Sequence, residues 1–338
     1  MKKYYTIALL MLGFTMIHAQ DIQFSQFYGN SLFMNPSFAG GFHQPKANIH
    51  YRGQWLNLEA RYNTYLTSID GFSAKHNSGY GLMIMRDVQG PGRLGSTDIS
   101  AFYSYELKIN RKWTARAGGR AAIISQSLDY SALRFPSQYD DNGLTTTTSP
   151  SQNIGNGNII YPDVSFGTLI FNRDFWFGAS GHHLSQPNQS FINDGLNKLP
   201  MSLSFITGYK IHIERHDGLH HNNDEKSISP TMHYKVQGKS DQLDLGMYAH
   251  YHKLLTGIWY RGIPVKKFQS NIQNNESMSF MLGMRTKHFI IRYSYDAVVS
   301  TLTVSNPRGA HEVGITVINP FSDKRRRPQR RIPCPNFI

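Results

Sequence analysis

The feature that most restricts this chain is a period-two alternation of apolar and polar residues that recurs from about residue 45 to near the end. Ile99, Ala101, Tyr103, Tyr105, Leu107 and Ile109 alternate with Asp98, Ser100, Ser104, Glu106 and Lys108, and only Phe102 breaks the polar face. Successive side chains of a strand point to opposite faces, so such a stretch is a strand with one apolar and one polar side. The pattern predicts strands over 46–56, 59–69, 78–87, 95–109, 112–126, 159–171, 174–182, 199–212, 227–237, 241–252, 255–262, 276–286, 288–296 and 310–319. The links between them alternate in length. Asn110-Arg111, Asn172-Arg173, Lys253-Leu254 and Thr286-Lys287 are tight, whereas 127–158, 183–198, 263–275 and 297–309 are long. A transmembrane barrel with short turns at one rim and long loops at the other requires that parity, and a soluble sandwich does not. The polar stretch 214–226 is long on the short side and breaks the rule.

Composition fits the same reading. Hydrophobic residues make up 40% and charged residues 17%, and no apolar run reaches the length of a membrane helix. Barrel strands average out as polar, so this leaves a membrane barrel open. At about 22 residues per strand and connection, the roughly 319 residues after a leader give about 14 strands. The expected fold is therefore all-β: a single antiparallel transmembrane β-barrel with periplasmic termini, closed because an unpaired edge in lipid is costly.

Lys2 and Lys3, the apolar run 4–17 and then Ala19 read as a signal peptide over 1–19. Residues 20–44 are then a periplasmic or lumen segment, 45–320 the barrel and 321–338 a basic periplasmic tail. Of the net charge of +13, six lie in KRRRPQRR at 324–331 and two at Lys2 and Lys3, leaving +5 for the rest. That remainder is too diffuse for a nucleic-acid stripe. The one cysteine, Cys334, precludes an internal disulfide.

Several blocks carry a resemblance. QDIQFSQF at 20–27 and MNPSFAG at 34–40 resemble the opening of the PorP/SprF family of type IX secretion and gliding-motility outer-membrane proteins. YRGQW at 51–55, YPD at 161–163, GASGHHLSQP at 178–187, YSYD at 293–296, His311-Glu312 and the closing CPNF at 334–337 are similar to its later blocks. Ile22, Phe38 and Ala310 depart from the proline, tyrosine and serine that the family would place there. The resemblance implies an outer-membrane location, no enzymatic activity and no cofactor. The partners it implies are a secreted adhesin or its C-terminal sorting domain, and type IX components or periplasmic lipoproteins. Outer-membrane lipid, including lipopolysaccharide, surrounds such a barrel. It also nominates Phe24, Asn35, Pro36, Gly40, Arg52, Trp55, Pro162, Asp163, His183, Pro187, Tyr295, Asp296, His311 and Glu312 as motif or partner residues.

Chemical readings of the same residues are weaker. Adjacent histidines such as His182-His183 point to opposite faces of a strand and do not readily share a metal ion. His311-Glu312 has no second histidine four residues on; a buried lumen pair or a hydrogen bond to the 293–296 strand suits it better. Ser180 and His182 share a face, yet no nucleophile elbow surrounds them. Arg325, Arg326, Arg327, Arg330 and Arg331 form either a solvated tail or a site for an anionic partner such as lipopolysaccharide phosphate. Tyr103, Tyr105, Trp176, Tyr209, Tyr251, Trp259 and Tyr260 suit interfacial aromatic girdles. A passive channel for small solutes is the alternative function.

Overall fold

The computed structural model describes residues 21–318 and 332–334, apart from 59–60, 91, 130–132, 134–137, 141–142, 145–156, 192–196, 214–225, 270–271 and 300–308. The expected leader, the arginines at 325–331 and the stretch 214–225 lie outside the described residues, as does most of the loop expected over 140–158.

Fourteen strands close into one antiparallel barrel. They are β1 Lys46–Gln54, β2 Tyr62–Ser73, β3 Ser78–Gln89, β4 Leu94–Lys108, β5 Thr114–Ser127, β6 Asn158–Phe171 and β7 Phe175–His182. β8 Ser202–Tyr209, which Ile211–His212 continues, is followed by β9 Lys226–Gln237, β10 Ser240–Tyr251, β11 Leu254–Gln269, β12 Ile272–Arg285, β13 Phe289–Val298 and β14 Ala310–Ile318. Every strand pairs with its sequence neighbour, and the ring closes where β1 meets β14, from Lys46 opposite Ile318 to Gln54 opposite Ala310. Both strand ends 46 and 318 thus lie at one rim, called basal here; the opposite rim is distal.

The alternation has two solvents as its cause. On β3, Leu82 and Ile84 face outward, each 55% exposed, while Met83 and Met85, alternating with them, face inward and are buried. Two of the tight basal turns are built by asparagine. The Asn110 carboxamide oxygen accepts the amides of Lys112 and Trp113 at 2.7 and 2.8 Å, and Asn172 does the same for Asp174 and Phe175 at 2.8 Å. One expected long link is absent: 263–275 is mostly strand, because β11 and β12 continue distally through register shifts at Arg261/Gly262 and Ile263/Lys267. The bulges let Gly262 and Pro264 sit within a ladder that their residue types argue against.

Two of the girdle aromatics are not at the lipid face. Tyr103, Tyr105, Tyr209 and Tyr251 are exposed, but Trp176 and Trp259 are 0% and 1% exposed, inside the lumen. What they pack against is the chain itself. Residues 24–42 run through the barrel as an almost wholly buried segment, containing a single helical turn α1 Ser31–Met34 and a 3-10 turn Pro36–Phe38. Phe27, Tyr28, Met34, Phe38 and Phe42 pack on Leu169, Trp176, Tyr248 and Trp259, together with Ile332 and Cys334 from the other chain end. Phe24, Leu32 and Ala39 pack on Leu66, Met83, Met85 and Phe102, which explains the apolar interruption at 102.

Candidate functional site

The segment is held by charges projecting from the lumen wall near both rims and by side-chain-to-backbone hydrogen bonds between them. Distally, Arg52 on β1, Asp296 on β13 and Glu312 on β14 meet because their strands are consecutive around the closure. Arg52 Nη1 lies 2.9 Å from Asp296 and 3.4 Å from Glu312, with all three side chains at most 6% exposed. Ser25 completes this cluster: its amide donates to Glu312 at 2.7 Å, and its hydroxyl donates to Asp296 while accepting from Arg52. The Gln26 side-chain amide donates to the Glu312 carbonyl at 3.1 Å and to Ser294. Arg261, paired with Asp244 at 2.9 Å, donates to the Phe24 carbonyl at 3.2 Å.

At mid-depth, Asn35 caps the 3-10 turn through the Ser37 amide at 2.9 Å. Its carboxamide nitrogen donates to the carbonyls of Thr168 on β6 and Ala179 on β7, both at 3.1 Å. Pro36 follows as the first residue of that turn, where its missing amide costs nothing. A Cβ on Gly118 would stand 2.6 Å from the Pro36 carbonyl, so glycine there admits the segment. Basally, Arg116 on β5 donates to the carbonyls of Ser37 and Ala39 and pairs with Glu106 at 3.1 Å. Gly40, at φ +67°, donates its amide to Asp70 at 2.8 Å. His43 then meets Glu106 at 3.0 Å as the chain leaves the lumen.

This order fixes a direction that parity alone does not. Asp21 lies at the distal rim, against His183 at 3.1 Å, Gln237 and Lys235, and the chain descends to Lys46 at the basal rim. Residues 20–44, expected as a periplasmic or lumen segment, thus run through the lumen from the distal rim to the basal one over the described residues 21–44. His183 bridges Asp21 and Asp163, the latter at 3.1 Å, and Asp163 in turn binds Arg120 at 2.8 Å. Burial by itself raises the Asp21 carboxyl, but Lys235 and His183 outweigh it and hold the group well below the usual carboxylate range. For His183 burial lowers the value, yet the carboxylates of Asp21 and Asp163 raise it to about 9.

Of the residues nominated from the sequence, Phe24, Asn35, Pro36, Gly40, Arg52, Asp163, His183, Asp296 and Glu312 belong to this lumen assembly. Pro162 and Tyr295 face outward, as does His311, whose ring nitrogen lies 2.8 Å from the Tyr293 hydroxyl. The His311-Glu312 pair is thus split between faces, one partner bonded to the 293–296 strand and the other in the lumen. Trp55 sits at the distal rim at φ +54°, edge-on to Tyr62, and Pro187 is buried in the β7–β8 loop, its carbonyl accepting the Leu199 amide. His183 escapes strand alternation because β7 ends at His182 and His183 takes φ +56°, turning inward. Ser180 and His182 are neighbours, 3.2 Å apart, and both reach the Met34 carbonyl, so they hold the segment. No group of three or more potential ligands that could hold a metal occurs among the described residues. Sequence reasoning missed Asp21, Asn30, Arg116, Arg120, Asp244 and Arg261. The signal available for the wall residues was arginine or aspartate on a face otherwise made of serine, threonine and glycine.

Among solved structures, the chain is similar at very low identity to several proteins of the outer membrane. The Acinetobacter baumannii outer membrane protein Omp33 matches at 7% identity over 82% of this chain and 98% of its own, with a TM-score of 0.44. A Pseudomonas aeruginosa FadL homologue matches at 11% over 86% and 94%, also at 0.44, and the KdgM porin at 9% over 80% and 98%, at 0.35. No curated protein matches the chain significantly. The profile of the family described as type IX secretion system membrane protein PorP/SprF matches residues 17–317, so this barrel of the outer membrane, with its lumen-bound N-terminal segment, belongs to the PorP/SprF family.

Proposed function

We propose that the protein is a non-enzymatic partner barrel of type IX secretion, serving the delivery or surface attachment of a secreted adhesin that carries a C-terminal sorting domain. The observation that carries this reading is the plugged lumen of a family member: residues 24–42 cross the space that a conduit needs, leaving the rims as the working surfaces. In this reading the distal rim faces the exterior and receives the secreted protein. The basal rim, where Ile318 and Ile332 are both buried on either side of the basic stretch, faces type IX components or periplasmic lipoproteins. Lipopolysaccharide and other lipid contact the apolar belt.

Deleting the gene and cataloguing surface proteins tests this. Loss of one secreted adhesin from the surface, or of type IX secretion altogether, is the expected result; an unchanged surface proteome overturns it. The passive-channel alternative predicts stable conductance of the full-length protein in planar bilayers, where the partner-barrel reading expects silence.

A further inference from the structure

The distal part of the lumen is not filled. A cavity of about 730 Å³ lies above the segment, bounded by it and by the distal halves of strands from β3 to β11. That is within the range of about 300–1,000 Å³ for cavities that enclose a ligand. Much of its wall is apolar, from Phe33, Met34, Met85, Ile124 and Leu199. The basic groups that line it are already matched: Arg120 with Asp98 and Asp163, Arg261 with Asp244, Lys235 and His183 with Asp21. Such a wall offers no spare positive charge to an anionic ligand, and Asp87, the one lining carboxylate outside these pairs, is held by Thr64 and Gln89.

Asn30 differs from all of these. It lines the cavity from α1's N-terminal flank, is 3% exposed, and both its carboxamide nitrogen and oxygen are buried with no hydrogen-bond partner. Gln242, on the facing wall, gives its amide to Asp244 and leaves its own buried oxygen unpaired. Buried carboxamides left unpaired are costly and rare, so their presence marks a place where a partner's polar atoms belong. A carboxamide presents a donor and an acceptor side by side, the complement of a peptide group.

We propose that this cavity binds an apolar segment of the secreted polypeptide from the distal side, with the Asn30 carboxamide pairing with its backbone. This rests on the reading that the protein holds a secreted partner. An acyl chain would satisfy the apolar wall but leave Asn30 and Gln242 unpaired. A sugar would pair with the amides but waste the apolar wall. A peptide with hydrophobic side chains satisfies both.

The test places the photo-crosslinker benzoylphenylalanine at Phe191, which lines the cavity, and at lipid-facing Ile84 as control, in the full-length protein in its own membrane. The expected result is an adduct from position 191, and not from 84, to an apolar peptide of a secreted protein, identified by mass spectrometry. Asn30→Leu should lower that adduct about tenfold, and Ser96→Trp, which fills the cavity from β4, should abolish it while the barrel keeps its unheated electrophoretic mobility. Asn30→Leu is replaced by Ser96→Trp as the deciding variant if it fails to fold. An adduct to lipopolysaccharide alone overturns the proposal in favour of a lipid site. Absence of any adduct while the deletion strain still loses a surface protein overturns the cavity site and leaves the partner function standing. An unchanged surface proteome in the deletion strain overturns both.

Discussion

Replacing Arg52 by methionine tests whether the distal charge cluster fastens the segment to the closure of the barrel. The guanidinium stands 2.9 Å from Asp296 and 3.4 Å from Glu312. Its loss leaves two carboxylates in a site where no side chain is more than 6% exposed. Removing one partner of a buried ion pair costs about 3–5 kcal/mol, because the remaining charge is unpaired. Arg261, 3.9 Å from Asp296, softens the effect, so the low end, about 3 kcal/mol, is expected. Guanidinium unfolding in detergent micelles, followed by the mobility difference between folded and unfolded bands, measures it. The diagnostic comparison is the triple variant Arg52→Met, Asp296→Asn, Glu312→Gln. With all three charges removed it should recover most of the loss, since neutral replacements of a buried ion cluster are often close to neutral in stability. Hydrogen exchange at residues 24–27 should rise in the single variant and return in the triple. A single variant costing under about 1 kcal/mol, or a triple variant less stable than the single, refutes the reasoning.

Ile84→Arg, at an outward position midway along β3, should destabilise the barrel by about 2–4 kcal/mol, whereas Ile84→Val should be nearly silent in the same unfolding assay. The contact of Asp21 with His183 sets a pH window for the distal end of the segment. The raised value of His183 contributes stability fully below its unfolded value of 6.5 and loses it as pH rises through about 9, while depressed Asp21 loses its contribution as pH falls below its usual carboxylate range. Maleimide labelling of Gln23→Cys should therefore accelerate above pH 9, after correction for thiolate ionisation, and His183→Leu should remove that step. Removing residues 24–42 should convert electrical silence in planar bilayers to measurable conductance; silence from a folded deletion variant would show that other residues close the lumen.

The barrel was legible in the sequence because lipid and lumen demand opposite residue types, and a strand must serve them alternately. The segment inside was not, since residues 24–42 are irregular and buried on all sides, and no period marks such a stretch. The aromatic girdle shows where the two levels interfere. Trp176 shares its parity with Gly178 and Ser180, and Trp259 shares its own with Gly257 and Arg261. Small and polar neighbours on the same face mark the lumen side, and that context outranks the general fitness of tryptophan for an interface. Residues 263–275 fit the sequence as one of the long links in the alternation of link lengths, an expectation that the bulged ladder overrides.

The direction of the segment constrains how the barrel assembles. It enters at Asp21 by the distal rim and leaves at His43 by the basal one, so it cannot be threaded through a ring already closed by β1 and β14 without passing the glycines that fit it tightly. A Cβ at Gly79 would stand 1.8 Å from the Ala39 carbonyl, and one at Gly167 would stand 2.1 Å from the Asn35 side chain. The expected order is therefore segment first and closure last, which pulsed hydrogen exchange during refolding checks: protection at residues 24–42 that appears only after β1 and β14 are protected refutes it. The closing strands carry its anchor: Glu312 on β14 takes the Ser25 amide, and Asp296 on β13 takes its hydroxyl. Until β13 and β14 arrive, Arg52 on β1 has neither carboxylate to pair with, so in this order closure of the ring both locks the segment already in place and neutralises Arg52, coupling the two ends of the chain.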